Sequence, residues 1–317
     1  MRKPRIIILL ATVFVLTAGL ARAAAPIETV VAFNPAAGQF PEGVAVDVTG
    51  NAYVSLISPV AQIRKIDRSG GQSVLAQFGA AGFGPLGMAV NSAGDLYVGL
   101  ASFDPATRGV YSVAPDGTTT RLPGTGGILF PNGLALDPRG ALYVTDSIAG
   151  AVWKIPRGGS AAVWFQSPLL AGNGSVGLGF PIGANGIAFG RNEVVVANTE
   201  GAKLVRIAVQ PDGGAGSASV VAQGPALVGA DGVALDVLGD AFVAVNSQNT
   251  LVRVAPDGAI TTLATAADGL QNPASVAFAT SHGERKTLYL TNFAVFSAAP
   301  KPALLRTGVG VPGMPLR

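Results

Sequence analysis

The sequence predicts an all-β fold, a six-bladed β-propeller with four-stranded blades, from three observations. The first is a hairpin pattern that occurs six times: FPEGVAVDVTGNAYVS from Phe40, GPLGMAVNSAGDLYVG from Gly84, FPNGLALDPRGALYVTD from Phe130, GANGIAFGRNEVVVA from Gly183, GADGVALDVLGDAFVA from Gly229 and NPASVAFATSHGERKTLYLT from Asn272. Each copy joins two short apolar strand patterns through a turn such as Asp137-Pro138-Arg139-Gly140, which is the signature of a β-hairpin. The second is the period. Counted on Glu42, Leu86, Asn132, Asn185, Asp231 and Ala274, the spacings are 44, 46, 53, 46 and 43 residues, close to the roughly 40–50 of a propeller blade and too long for leucine-rich or tetratricopeptide units. The third is composition: 49% hydrophobic residues, 43 glycines and 12% charged residues suit short, mostly buried strands linked by tight turns.

At the N-terminus, Arg2, Lys3 and Arg5 precede an uncharged run from Ile6 to Leu20, and Ala21-Arg22-Ala23 supplies the small residues of a cleavage site. Residues 1–23 are therefore predicted to be a secretory signal, leaving residues 24–317 as one propeller domain. The apolar run falls short of the roughly 20 residues needed to span a bilayer, and the chain contains no cysteine to carry a lipid anchor. The expected location is exported, periplasmic or extracellular, with no stable membrane anchor. Without disulfides, packing alone must hold an exported chain together.

Charge reads differently once that segment is set aside. The whole chain has 21 Lys+Arg against 18 Asp+Glu, but the leader takes four of the basic residues and none of the acids, so the net charge of the remainder is −1. No basic cluster is left, which excludes nucleic acid as an expected partner.

The N-terminal strand pattern Ile27–Phe33 (IETVVAF) has no hairpin of its own. It is expected to be the outer strand of the last blade, tying the chain ends together and removing the weakest edge of the ring. Within each copy a third strand follows, as in Gln62–Asp67, Gly109–Val113, Ala151–Ile155, Lys203–Ile207 and Thr250–Val254. Its branched apolar residues alternate with Lys, Arg or Ser, as a sheet with unequally buried faces requires. Turns such as Pro115-Asp116-Gly117 and Pro256-Asp257-Gly258 lead to fourth strands at Thr118–Leu122 and Ala259–Leu263. Trp153 and Trp164 fall in strands of the third blade and read as packing residues. The longest spacing contains SPLLAGNGSVGLG, Ser167–Gly179, either a plain surface excursion or a lid over the central channel.

The first strand of every blade lines that channel. Residues just before it, at equivalent positions, converge on one mouth: Glu42, Leu86, Asn132, Asn185, Asp231 and Ala274. Two carboxylates and two amides make a set of hard oxygen donors suited to Ca²⁺, with Mg²⁺, Mn²⁺ or Zn²⁺ as alternatives. Asn-Gly and Asp-Gly are also common turn dipeptides, but four polar residues stand in register while Leu86 and Ala274 show that the turn tolerates apolar ones. Asp47, Asp137 and Asp236, at the ends of first strands, read as turn caps. Gly124-Thr125-Gly126-Gly127 is followed by no helix pattern and reads as a connecting loop. No Gly-x-Ser-x-Gly elbow is present, and His282 is the single histidine, so the familiar nucleophilic triads are excluded.

The segments PEGVAVD, PNGLALD, ANGIAF and ADGVALD, with SVAFATSHGERKTLYLT in the last blade, resemble the senescence-marker-protein/gluconolactonase group of six-bladed propellers, and more distantly paraoxonases and strictosidine synthases. That resemblance implies a divalent cation held by Glu42, Asn185 and Asp231, with Asn132 contacting the metal or the substrate. It also implies metal-assisted hydrolysis of a lactone or related ester, with Asp231 or Glu42 accepting a proton and Asn132 orienting substrate. Two features depart from it. Gly232 stands where paraoxonases carry an asparagine, and Ala279-Thr280 replaces paired glycines of the last blade. The alternative is a non-catalytic propeller, since the blades are also similar to NHL repeats, with Asp146 in YVTDS fitting that pattern. The expected partner is a small lactone or ester, and the expected state a monomer.

Overall fold

A computed structural model describes residues 25–79 and 82–316; the expected leader, residues 1–23, lies outside them. Among the described residues, twenty-four strands form six separate four-stranded antiparallel sheets. The inner strands, which line the channel, are Pro41–Val46, Gly82–Val90, Pro131–Leu136, Ala184–Phe189, Ala230–Leu235 and Pro273–Phe278. In five sheets the strands run outwards in chain order. In the sixth, Pro273–Phe278 is followed by Thr287–Asn292, Ala303–Gly308 and then Glu28–Ala32. The N-terminal strand thus closes the ring, its Glu28 opposite Arg306 and its Ala32 opposite Ala303.

Apolar alternation on two faces of each blade explains the packing. Six buried clusters sit one at each blade interface: Val98 and Ile63 between blades 1 and 2, for example, Val144 and Val110 between 2 and 3, and Leu290 and Leu251 between 5 and 6. Inner and second strands are almost wholly buried, whereas a fourth strand such as Gln72–Gln77 is mostly exposed. That gradient is what a ring of radially packed sheets imposes. Trp153 and Trp164 lie in the third and fourth strands of blade 3, and Trp164 stacks edge-on against Tyr143 at 4.9 Å. Asp47, Asp137 and Asp236 cap their hairpin turns, as when the Asp137 carboxylate accepts from Arg139 N and Ala141 N at 2.8 and 2.9 Å.

One detail of register differs from the sequence reading and matters most for the site. The six residues expected just before the inner strands lie inside them. In blade 3, Pro131 pairs with Asp146 and the next pair is Leu134 with Val144, so Asn132 and Gly133 together oppose Thr145. That is a β-bulge. The same irregularity falls at Glu42-Gly43, Leu86-Gly87, Asn185-Gly186, Asp231-Gly232 and Ala274-Ser275. Pairing resumes above the bulge, so the strand begins earlier than the apolar run suggests.

The glycine that follows the bulge residue in blades 1 to 5 is a packing requirement between blades; blade 6 has Ser275 there. A Cβ on Gly186 would lie 2.1 Å from Asp231 O, and one on Gly43 2.3 Å from Leu86 O. Neighbouring inner strands approach so closely that no side chain fits. In three blades a hydroxyl opposite the bulge ties this seam: Gly133 N donates to Thr145 Oγ1 at 2.8 Å, and that hydroxyl donates to Asn185 O of the next blade at 2.5 Å. Ser55 and Thr291 make the equivalent links to Leu86 O and Glu42 O.

The far end of the channel is closed by the C-terminal segment. Met314 N donates to Leu235 O at 2.9 Å, Val237 N to Pro312 O at 3.0 Å, and Gly313 N to Arg285 O at 2.9 Å. His282 is exposed in the hairpin loop of blade 6. No helix among the described residues is long and apolar enough to cross a membrane.

Candidate metal and active site

The bulges put consecutive blades' residues around one small cavity of about 50 Å³, lined by Glu42, Asn132, Asn185, Asp231 and Ala274. All four polar residues singled out from the sequence are brought together there. Leu86 is buried beside them in an apolar cluster, its carbonyl against Gly43. Below the polar set, Val44, Met88, Leu134, Ile187, Val233 and Val276 form an apolar floor.

Each amide is oriented by a hydroxyl. Asn185 Nδ2 donates to Thr199 Oγ1 at 2.9 Å, and Thr199 Oγ1 donates its own proton to Ala230 O at 2.7 Å. Asn132 Nδ2 likewise faces Ser147 Oγ at 3.2 Å, and Ser147 donates to Ala184 O at 2.6 Å. Because each hydroxyl has spent its proton on a carbonyl, it can only accept from the amide. This fixes which end of each amide is nitrogen and leaves its oxygen for the channel. In the next blade Asn246 Nδ2 faces Asp231 Oδ2 at 3.4 Å. Ser147, Thr199 and Asn246 were not singled out from the sequence. Their signal was there: they stand 15, 14 and 15 positions after Asn132, Asn185 and Asp231, just beyond the second strand.

Electrostatics at the cavity are unbalanced. Burial pushes the Glu42 carboxyl up to about 8. Asp231 is also held well above the usual carboxylate range, by burial first and then by the neighbouring Glu42 charge, with hydrogen bonds from Asn185 and Asn246 pulling the other way. Glu42 is only 8% exposed and its Oε2 has no hydrogen-bond partner. Among the described residues no Lys or Arg lines the cavity. Two neighbouring carboxylates without a counter-ion, Glu42 buried and Asp231 half-buried, are costly unless a proton or a cation compensates them. Among the described residues there is no group of three or more His, Cys, Asp or Glu side chains. The donor set is therefore two carboxylates and two amide oxygens, the hard-oxygen chemistry that suits Ca²⁺ rather than a soft metal. On these grounds the residues fit a divalent cation.

Asp146, the residue that matched the NHL pattern, is fully buried and acts as a clamp. Its carboxylate accepts from Leu129 N at 2.8 Å and Phe130 N at 3.1 Å, fixing the chain two residues before Asn132. Asn198 and Asn292 hold the same place in blades 4 and 6 and bind loop carbonyls. The Ser167–Gly179 loop is ordered by Glu200, whose carboxylate accepts from Asn173 N, Gly174 N and Val176 N. Just past it, Phe180 packs over Phe83, Phe103 and Phe130 at the mouth.

Comparison with known proteins agrees with the six-bladed fold. Residues 181–294 match the family of the SMP-30/Gluconolactonase/LRE-like region. The resemblance read from the motifs is borne out. The matched segment contains Asn185 and Asp231. Structures covering nearly the whole chain are also similar. A gluconolactonase from Xanthomonas campestris superposes with a TM-score of 0.68 at 17% identity, covering 93% of each chain. A calcium-binding protein, regucalcin, from Agrobacterium tumefaciens gives 0.67 at 18% identity, covering 93% of this chain and 97% of that one. A luciferin-regenerating enzyme gives 0.68 at 14% identity, covering 92% and 98%. At these identities the likeness speaks to the six-bladed fold. No curated protein sequence matches the chain.

Proposed function

We propose that this protein is an exported, divalent-cation-dependent hydrolase of a lactone or related ester, with Ca²⁺ as the cation. The observation that carries the reading is the pair Glu42 and Asp231, a buried and a half-buried carboxylate facing one cavity with no basic residue beside them among the described residues and Glu42 Oε2 unpartnered. The matched family region and the similarity to a gluconolactonase and a regucalcin support it.

Glu42, Asp231, Asn185 and Asn132 would hold the cation. When bound, it would supply Lewis-acid polarisation of an acyl carbonyl and lower the pKa of a water. The chain's own groups do the rest. A carboxylate, Asp231 or Glu42, accepts the proton of the attacking water as its oxygen bonds to the acyl carbon. The ring carbon–oxygen bond then breaks, and the same carboxyl returns its proton to the departing alkoxide. Asn132, held by Ser147, offers a fixed group for the substrate oxygen. The apolar floor below keeps water from reaching the carboxylates from the far end, and so keeps their charges strongly felt.

The test is calorimetric titration of Ca²⁺ into the chelator-treated protein and into the Glu42→Gln/Asp231→Asn double variant, with lactone hydrolysis measured on both. Binding in the wild type, its loss in the variant, and a fall in kcat/KM of more than about 10³-fold are expected, since such cation chemistry contributes several kcal/mol. Unchanged binding and turnover in the variant would sink the reading. Export is checked separately by N-terminal sequencing of the protein recovered outside the cytoplasm, which should begin at Ala24.

A further inference from the structure

The mouth above the cavity has a chemical character of its own. Phe83, Phe103, Phe130 and Phe180 form a cluster of edge-on and tilted rings, with Phe83 to Phe130 at 5.3 Å, Phe130 to Phe180 at 5.4 Å and Phe103 to Phe180 at 6.1 Å. Phe83 lies in the inner strand of blade 2, Phe103 in the loop after that blade's second strand, and Phe130 and Phe180 in the connections that lead into blades 3 and 4, so chance proximity along the chain does not explain them. The cluster is continuous with the polar ring through Leu86, which packs with Phe130 and holds the bulge position beside Glu42. Phe103 is 61% exposed, an unusual cost for an aromatic ring that has no partner to cover it.

Charged side chains of this rim are turned to other work. Arg108 donates to Gly126 O and Arg121 to Ala106 O and Pro105 O. The Asp104 carboxylate accepts from Ala106 N, and Glu200 holds its loop as described. On the blade 2 and 3 side, Phe103 is exposed and Phe83 and Phe180 are half-buried, covering the buried Leu86 and Phe130. A hydroxyl-rich substrate placed there would lose water contacts without replacement. An alkyl or aryl group would gain about fourfold in binding per buried methylene.

Resting on the hydrolase reading above, we propose that the substrate is an apolar lactone or ester, its acyl group at Glu42 and Asp231 and its alkyl or aryl part against Phe83, Phe103 and Phe180, and not a polyhydroxylated sugar lactone.

The experiment uses the full protein with CaCl2 and a γ-lactone series from butyrolactone through the hexyl-substituted member, against glucono-δ-lactone. The expected result is a rise in kcat/KM of about fourfold per methylene until the rim is filled, with glucono-δ-lactone the poorest substrate. Phe180→Ala should flatten that slope; Phe103→Ala, at an exposed position that folding tolerates, should do so more weakly. Flat chain-length dependence, preference for the sugar lactone, or an unchanged slope in both variants would overturn the proposal. In parallel, calorimetry measures binding of the matching 5-alkyl-2-pyrrolidinones. If no lactone is opened but these lactams bind with a chain-length slope that Phe180→Ala flattens, the hydrolase reading fails and the apolar subsite stands. If neither lactone nor lactam shows a slope while phosphatidylcholine vesicles are bound through Phe103, the rings face a membrane and the proposal falls.

Discussion

The two ends of the channel are built from the same six strands and have opposite chemistry. At one end the bulges turn Glu42, Asn132, Asn185 and Asp231 inwards. At the other, Val46, Val90, Leu136, Phe189, Leu235 and Phe278 meet Met314, Pro315 and Leu316 of the C-terminal segment. The difference lies in regularity. Where pairing is regular, alternation allows only apolar residues in a narrow, covered channel. Where each strand carries one extra residue, the ladder loosens, a side chain is re-aimed and an adjacent N–H is freed for a hydroxyl. A polar site can thus be seated in an apolar barrel without disturbing the blades' cores.

If the polar end is made for a cation, its carboxylates should cost stability when none is present. The Glu42 carboxyl sits at about 8 in the folded chain against an ordinary 4.5. The folded state therefore holds a proton that the unfolded state has released across that interval. Stability of the cation-free protein should fall as pH rises from about 4.5 to 8, by up to about 1.4 kcal/mol per unit. Ca²⁺ should remove most of that loss and raise Tm most at the alkaline end. Thermal melts across pH with chelator and with CaCl2 check this; curves that stay parallel would mean that no cation relieves Glu42 and Asp231.

The seam between blades is expected to be the next most sensitive place. Gly186→Ala sets a Cβ 2.1 Å from Asp231 O and 2.7 Å from Gly232 Cα, and both are backbone atoms that cannot swing away. A loss of about 1–3 kcal/mol is expected from such overpacking, with weakened Ca²⁺ binding because Asp231 itself is displaced. Denaturant melts and calorimetry on one sample separate the two effects. A variant that melts like the wild type would show that the blades are more loosely seated than the geometry says.

How much of this was legible in the sequence follows from the same contrast. Regular pairing writes a periodic pattern, so the six blades, the closing strand Glu28–Ala32 and the turn caps Asp47, Asp137 and Asp236 could all be read. A bulge breaks the pattern it sits in. Glu42 and its equivalents were visible by their register but were placed before the strands, because PEGVAV does not alternate until Val44. The residues that orient the site, Ser147, Thr199 and Asn246, were missed since each is an ordinary loop residue until the next blade's carbonyl is known. The aromatic mouth was illegible for a related reason: Phe83, Phe130 and Phe180 are far apart in sequence and meet only through the ring.

Those orienting residues allow a finer test. Thr199→Val keeps the shape but can neither accept from Asn185 Nδ2 nor donate to Ala230 O. Cation affinity should fall about 10–100-fold, as for other groups that position a ligand from behind. Thr199→Val should add little once Asn185 is already alanine, because Thr199 acts on the cation only through the amide that Asn185→Ala removes. Additive effects in that double variant would separate Thr199 from the site.

The smallest effect is expected at the apolar end, where the sequence pattern is weakest: VGVPGMPLR carries no strand signal, yet residues 309–316 cover the channel. Met314 packs against the cluster between blades 4 and 5 and Leu316 against the one between blades 1 and 2, so the segment bridges opposite sides of the ring. Both side chains are only partly buried, and truncation after Gly310 should cost about 1–2 kcal/mol. The floor of Val44, Met88, Leu134, Ile187, Val233 and Val276 stands between the cut and the carboxylates. Ca²⁺ affinity should therefore stay within about twofold, since distant sites that share no partners act independently. If truncation instead weakens the cation together with Tm, the two ends are not separate devices, and the tail is part of what keeps water from Glu42.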